Sequence, residues 1–441
     1  MRRLFFGLVL FVCLLIAGCA DASLPTSAAA PPGDPESAAP TATPAPADVA
    51  RVRLPGDALQ DLLAEHDLAY SDPFSQEYPD ILSVPSVVHY SKDQLYYTSF
   101  EEMPFIGEQY PMTAPEQVCE GLYRYDLSTG EKVRMGDVSQ AGYSSGEFLF
   151  TQDAYYRFPC SFDQTKSTLA IKRLDLASGQ PQVIAQIDNG DMYVSSDQTG
   201  SGTCAFLIRI AGEEQNSQRI YIRGADQELR LIYDSAQSGL EAPAFSALSA
   251  GEETLFLLQQ TAPAGKLVTE VVEMDLDGTI CGTIPLPGLK EYSDPDYFAD
   301  KLYVTGEYIF VKWYNCGEQL PYFSAFKLAD GEASAVWVPE NAPCYLINKR
   351  PVKGRYFLFS AFPDGMDYTA NTYASHLYVL DAQNDRFTGV SLPLAQDVVF
   401  NNMVCNEQGD LVMNLAEKTH AQARLQDRLL RIAFEELEAL L

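Results

Sequence analysis

The stretch GYSSG (142–146) sets Ser144 in the G-x-S-x-G spacing. On a sharp strand-to-helix turn, that spacing exposes a serine hydroxyl as a hydrolase nucleophile, served by a histidine and by amide donors for the oxyanion. The next five residues here, EFLFT (147–151), read as a strand-like run and not as a helix. Ser144 is therefore read as a residue of a loop between strands, and no catalytic residue is assigned. Metal binding would ask for clustered ligands, yet His66, His89, His376 and His420 are scattered, with no H-E-x-x-H and no Cys/His group. Carboxylates stand closer together in SDPDYFAD (293–300). Asp294, Asp296 and Asp300 could lend oxygens to a calcium ion there, although their order departs from a D-x-[DN]-x-[DN]-G loop. Calcium at these three is the one cofactor expectation, set against a solvated inter-strand loop that holds nothing. Glycosidic cleavage needs two carboxylates at a defined separation, and spacing along the chain cannot pair them among 60 acids.

Thiol chemistry is sorted by position. Cys13 lies in an apolar leader and Cys19 ends it, which leaves Cys119, Cys160, Cys204, Cys281, Cys316, Cys344 and Cys405. Their number is odd and no C-x-x-C occurs. Cys204 and Cys344 sit in apolar runs, where a free thiol packs as a small hydrophobe. Mostly unpaired thiols are expected, as in a chain from reducing or anaerobic surroundings.

The elements that would position such groups come from a repeat. LYRYD (122–126) is succeeded by IKRLD (171–175), IYIRG (220–224), VVEMD (271–275), FSAFK (323–327), LYVLD (377–381) and LLRIA (429–433). Copies at a period of about 50 residues mark a repeat architecture. Before each copy come two more β-like runs, such as KLYVTG (301–306) and YIFVKWYN (308–315). After it come a Gly or Asp turn and a fourth run, such as QVIAQI (182–187). Four short strands in a meander make a propeller blade, and no period carries a helix-length apolar stripe. The expected fold is all-β: a seven-bladed β-propeller of four-stranded antiparallel blades over about residues 82–441. Asp126, Asp175, Asp275 and Asp381 then close the hairpins between third and fourth strands and have no catalytic part. The seventh repeat runs short of chain. Its outer strand is expected from ELEALL (436–441) or, by ring closure, from VARVRL (49–54). DALQDLLAEHDL (57–68) reads as a short helix over about 57–66, capped by Asp57.

LYRYDLSTGE (122–131) and VVEMDLDGT (271–279) resemble hairpins of bacterial envelope propellers of the TolB-like and quinoprotein-like kinds. The resemblance implies a fold that many functions share. Quinoprotein-type blades usually place a Trp after the turn, and this chain has only Trp313 and Trp337, so bound pyrroloquinoline quinone is not implied. SSDQTGSG (195–202) comes near the S-x-D-x-G-x-x-W turn of sialidase-type propellers, but its Gly is displaced and no Trp comes after it.

Arg2 and Arg3 precede LFFGLVLFVCLLIA (4–17), an apolar run shorter than the roughly 20 residues of a membrane span. It ends in LIAGC (15–19), which resembles the bacterial lipoprotein lipobox. That resemblance implies a signal peptide over 1–18 and Cys19 as a lipidated N-terminus carrying palmitate-type chains. Residues 19–48, rich in Pro, Ala, Ser and Thr and lacking aromatics, are expected to be a disordered tether. Residues 49–441 are expected to form the propeller domain. The formal charge of −30 repels nucleic acid and anionic head groups, so neither is an expected partner.

In a blade meander, the second-to-third-strand loops and the inter-blade connections share one face. Three such loops are long: 101–120, 362–373 and 416–427, on blades one, six and seven, neighbours once the ring closes. Met103, Phe105, Ile106 and Tyr110 in the first, with Met366, Tyr368 and Tyr373 in the second, either pack onto the ring or form a binding patch. The expected function is that of a monomeric, non-enzymatic binding lipoprotein held on the extracytoplasmic side of the cell membrane by its lipid. Its partner would be an envelope protein, a peptide or a glycan. The alternatives are a propeller hydrolase or lyase acting on cell-surface polymers, and a scaffold of an envelope protein complex.

Overall fold

A computed structural model describes residues 49–62, 86–100, 119–140, 143–162, 166–212, 217–224, 226–237, 244–261, 268–287, 297–315, 320–339, 343–361, 376–394, 398–418 and 425–441. The strands form seven sheets, each a blade of antiparallel strands A to D counted outward from the axis. Blade 1 comprises Ser86–Ser91, Gln94–Phe100, Cys119–Asp126 and Lys132–Gln140. Blade 2 is Tyr143–Phe150, Ala154–Phe162, Ser167–Asp175 and Pro181–Asp188. Blade 3 runs Gly190–Gln198, Cys204–Ile210, Ser217–Arg223 and Leu229–Asp234. Blade 4 is made of Ala244–Ala250, Thr254–Thr261, Val268–Asp275 and Ile280–Pro285, and blade 5 of Tyr297–Val304, Tyr308–Asn315, Leu320–Ala329 and Glu332–Val336. Blade 6 has Pro343–Leu346, Tyr356–Ala361, His376–Asp381 and Arg386–Ser391. Strands A to C of blade 7 are Val398–Cys405, Leu411–Lys418 and Leu425–Ile432. All seven copies of the sequence repeat fall on C strands, as expected.

Both faces of a blade meet a neighbour, so the middle strands read as unbroken apolar runs and not as alternation. In strand B of blade 5, Tyr308 and Phe310 face blade 6, while Ile309, Val311 and Trp313 face blade 4. The apolar core is correspondingly divided into seven clusters, one at each interface between adjacent blades. The cluster that joins Val412 and Leu429 of blade 7 to Val87 and Tyr97 of blade 1 completes the ring. Phe310 and Phe357 meet edge to face at 5.1 Å across the interface of blades 5 and 6. Each fully buried side chain of this kind contributes about 1.5–3 kcal/mol.

The ring closes differently from either expected way. Residues 436–441 supply no strand, because Phe434–Glu438 is a helix, α1, whose Phe434 and Leu437 are buried between blades 6 and 7. Residues Ala50–Arg53 do form a strand, but it adds in parallel to strand D of blade 6 as a fifth strand. The outer strand of blade 7 is instead Gln60–Asp61, paired with Arg431 and Leu430. Between them the chain makes a single 3-10 turn, Gly56–Ala58, where a longer helix was expected. Leu54 and Ala58 are buried between blades 6 and 7, and Leu62 between blades 7 and 1. Over 57–61 the expected helix gives way to this turn and strand, while Leu62 is helical. Residues 63–68 lie outside the described residues.

The hairpin aspartates act as turn closures. Oδ1 of Asp175 accepts from the amides of Ala177 and Ser178 at 3.1 and 2.9 Å, and Oδ1 of Asp275 accepts from those of Asp277 and Thr279 at 2.9 and 2.8 Å. The glycine of the turn has a second part to play. Gly179 and Gly278 hold left-handed φ values of 68° and 87°, and a Cβ on either would meet Met135 O at 2.3 Å or Ile232 O at 2.0 Å. Each turn thus lies directly on the backbone of the preceding blade's outer strand.

Candidate functional site: the channel and the loop face

The A strands line the axis, and charges from opposite blades meet across it. Glu147 of blade 2 pairs with Lys301 of blade 5, three blades away, and accepts from the amide and hydroxyl of Ser196 of blade 3, both at 3.3 Å. Asp197 of blade 3 pairs with Lys349, in the A–B turn of blade 6. Asp197 is 4% exposed and also accepts from the Ala250 amide of blade 4 at 2.9 Å and from the Gln198 amide at 2.8 Å. Ser249 extends the chain of contacts by accepting from the Val304 amide of blade 5 at 3.0 Å. Because Glu147 bonds to Ser196, next to Asp197, the two bridges lie side by side toward the A–B end of the channel. Charge-assisted bonds with backbone donors on the same carboxylate hold such a group in place despite its lost hydration. Sequence reasoning missed all four residues of these bridges.

The groups weighed for chemistry in the sequence fall elsewhere. Ser144 is paired opposite Pro159 inside strand A of blade 2, not in the expected loop, and no elbow exists there. Asp300 lies within strand A of blade 5, at a bulge between Ala299 and Lys301, where a solvated loop was the alternative expectation. Asp294 and Asp296 lie outside the described residues, as does Cys19. No group of three His, Cys, Asp or Glu suited to a metal occurs among the described residues. The His89 ring stacks on Phe150 at 4.2 Å between blades 1 and 2. Burial pushes its pKa down, with the nearby Glu407 carboxylate pulling the other way. Cys160, Cys204, Cys281 and Cys405 are free thiols. Burial pushes Cys160 and Cys204 up to about 11, which keeps both protonated and poorly nucleophilic.

Met103, Phe105, Ile106, Tyr110, Met366, Tyr368 and Tyr373 also lie outside the described residues. The strand ends that carry their loops are described, however. Strand B of blade 1 ends at Phe100 and strand C begins at Cys119; in blade 6 the corresponding ends are Ala361 and His376. In blade 7 the strands run on to Lys418 and resume at Leu425, so the connection expected over 416–427 shortens to 419–424. A different long connection joins the same face. Residues 62–85 link the outer strand of blade 7 to the inner strand of blade 1.

No protein-family model matches the chain, and no curated protein matches it. Among solved structures, it is similar to a prolyl endopeptidase at 12% identity and a TM-score of 0.48, over 83% of this chain and 53% of that one. An oligogalacturonate lyase in complex with manganese is similar at 11% identity and a TM-score of 0.45, over 80% of this chain and 90% of that one. A putative 6-phosphogluconolactonase from Bacteroides fragilis is similar at 14% identity and a TM-score of 0.41, over 76% and 94%. The chain spans about half the length of the prolyl endopeptidase. Likeness this distant carries nothing about activity, and the propeller assignment rests on the chain's own strand pairing.

Proposed function

We propose that the protein is a membrane-anchored, extracytoplasmic binding lipoprotein that takes an envelope protein, peptide or glycan on the loop face of blades 6, 7 and 1. Cys19 would carry the lipid, and residues 20–48 would hold the ring away from the membrane. One observation carries the reading: the connections 62–85, 101–118 and 362–375 are all anchored on one face of three adjoining blades. Long connections on a rigid scaffold are where recognition is concentrated, since they vary without cost to the strand pairing. The sequences of the first two contain Tyr70, Phe74, Met103, Phe105 and Tyr110, residue types suited to anchoring a partner. The bridged channel favours a partner held on the face over a ligand threaded along the axis.

The test is capture from detergent-extracted envelope with the full chain, beside a variant in which 104–117 is replaced by a short Gly-Ser turn. Circular dichroism verifies that the variant keeps its β signal. The expected outcome is a partner retained by the first and lost by the second. Equal recovery on both, or recovery on neither, refutes the loop-face reading.

A further inference from the structure

On the face of blade 6 that carries Tyr356 and Val379 toward blade 7, a cavity of about 420 Å³ opens beside Leu441. Its polar wall is Arg355, Asp381, Asn384, Arg386 and Thr388, with Leu441 at one side. Arg386 and Thr388 share the face of their strand with Val390, which packs between blades 6 and 7. The volume is that of a small-ligand site, and its lining is polar.

The charge balance in this wall is uneven. The Asp381 carboxylate is saturated: Oδ1 accepts from Arg355 Nε at 2.8 Å and the Gln383 amide at 3.1 Å, and Oδ2 accepts from Arg355 Nη2 and from Asn384 Nδ2 at 2.7 Å. A carboxylate offers about four lone-pair sites, so none remains for another cation. Asp385, beside Arg386 in the chain, is engaged by Lys327 at 2.8 Å and by the Tyr308 hydroxyl. Glu438, on α1, is taken by Lys353. Among the described residues neither the Arg386 guanidinium nor the Thr388 hydroxyl has a hydrogen-bond or ion-pair partner, although Asp381 stands opposite Arg386 across the strand and Leu441 lines the same cavity.

We propose that this cavity is a binding site for a small oxyanion, a phosphate or a carboxylate, which Arg386 takes in its guanidinium fork while Thr388 and Asn384 supply further donors. A planar guanidinium matches two oxygens of either group, and the neutralised Arg355–Asp381 pair fixes the wall against which the anion sits. The proposal is independent of the loop-face reading.

The test is titration calorimetry on the full chain in non-ionic detergent, with inorganic phosphate and with acetate, at ionic strength held constant with sodium chloride. Saturable binding of either probe is expected, weakened about tenfold or more by Arg386→Gln and less by Arg386→Lys. The probe that binds identifies the source of the oxyanion. Arg230→Gln, which removes an exposed arginine on the outer strand of blade 3, is expected to leave binding unchanged. Arg386 is exposed and unpartnered, so its variants should keep the wild-type thermal midpoint in probe-free buffer. The proposal is overturned if neither probe binds saturably, if Arg386→Gln binds as well as wild type, or if Arg230→Gln weakens binding equally.

Discussion

Truncating Asp197 should cost the ring more than truncating the lysine it pairs with. Asp197 is 4% exposed, and its carboxylate holds four partners from three blades: the Gln198 amide of its own strand, the Ala250 amide and the Ser249 hydroxyl of blade 4, and the Lys349 ammonium of blade 6. Asp197→Ala leaves the Ala250 amide without its acceptor in a dry inner strand, a cost of about 1–3 kcal/mol, and removes a charge-assisted bond as well. Lys349 keeps 51% of its side chain exposed, so in Lys349→Ala the lost attraction is one already screened by water, about 1 kcal/mol. Asp197 then still has its two amide donors. The expected order of loss is Asp197→Ala at about 3 kcal/mol, Asp197→Asn between, and Lys349→Ala at about 1 kcal/mol. The double variant should show a coupling of about 1 kcal/mol. Urea unfolding followed by fluorescence of the buried Trp313 reports these differences as midpoints at constant slope. If Lys349→Ala cost as much as Asp197→Ala, the ion pair to blade 6 would outweigh the backbone anchorage to blade 4, and the expected order would be refuted.

Two further outcomes concern the hairpins. Alanine at Gly331, whose φ is 81° with nothing within 4 Å of a built Cβ, should cost only about 1 kcal/mol of backbone strain. Alanine at Gly278 or Gly179 must also displace a neighbouring carbonyl, so both variants should unfold at clearly lower urea than Gly331→Ala; coincident midpoints would deny the close approach of turn and blade. The carboxyls of Asp126, Asp175 and Asp381 are held down at about 2, by the Ser128 hydroxyl, the Ser178 amide and the Arg355 guanidinium in that order. Folded values below the unfolded value of about 3.9 mean that this stability is complete above pH 4 or so and is lost as pH falls from there toward 2. Asp175→Asn should flatten that acid limb in a pH series of urea midpoints, and an unchanged slope would refute the assignment.

The fold was legible because it is written in local rules repeated along the chain. Each C strand recurs at the same period, four of the seven with an Asp at the turn, and runs such as YIFVKW read as strands buried on both faces. The ring closure was not legible to the residue. Pairing over Gln60–Asp61 adds little by itself, and what places it there is the burial of Leu54, Ala58 and Leu62 at two interfaces that exist only once the ring is assembled. Over 57–61 the same closure replaces the first part of the expected helix by a 3-10 turn and a two-residue strand.

The channel bridges were hidden for a different reason, and the repeat itself removes it. Glu147 and Lys301 are 154 residues apart, and Asp197 and Lys349 are 152 apart. Both separations are about three periods of the repeat, and in a seven-membered ring three blades away is the opposite wall. A charge in an A strand and its opposite three periods later are therefore candidates to meet across the axis. No local pattern carries that signal; only the period and the number of blades together do. The anion cavity had a comparable cause. Arg386 looks like any exposed turn cation until the folded chain sets it in the wall of a cavity beside Leu441. In a repeat fold, then, departures from regularity are the first places to look for sites: the short strand of blade 7, the fifth strand of blade 6 and the long connections on the loop face all fall where the ring is sealed. The proposed binding face and the proposed anion site both lie along that seam.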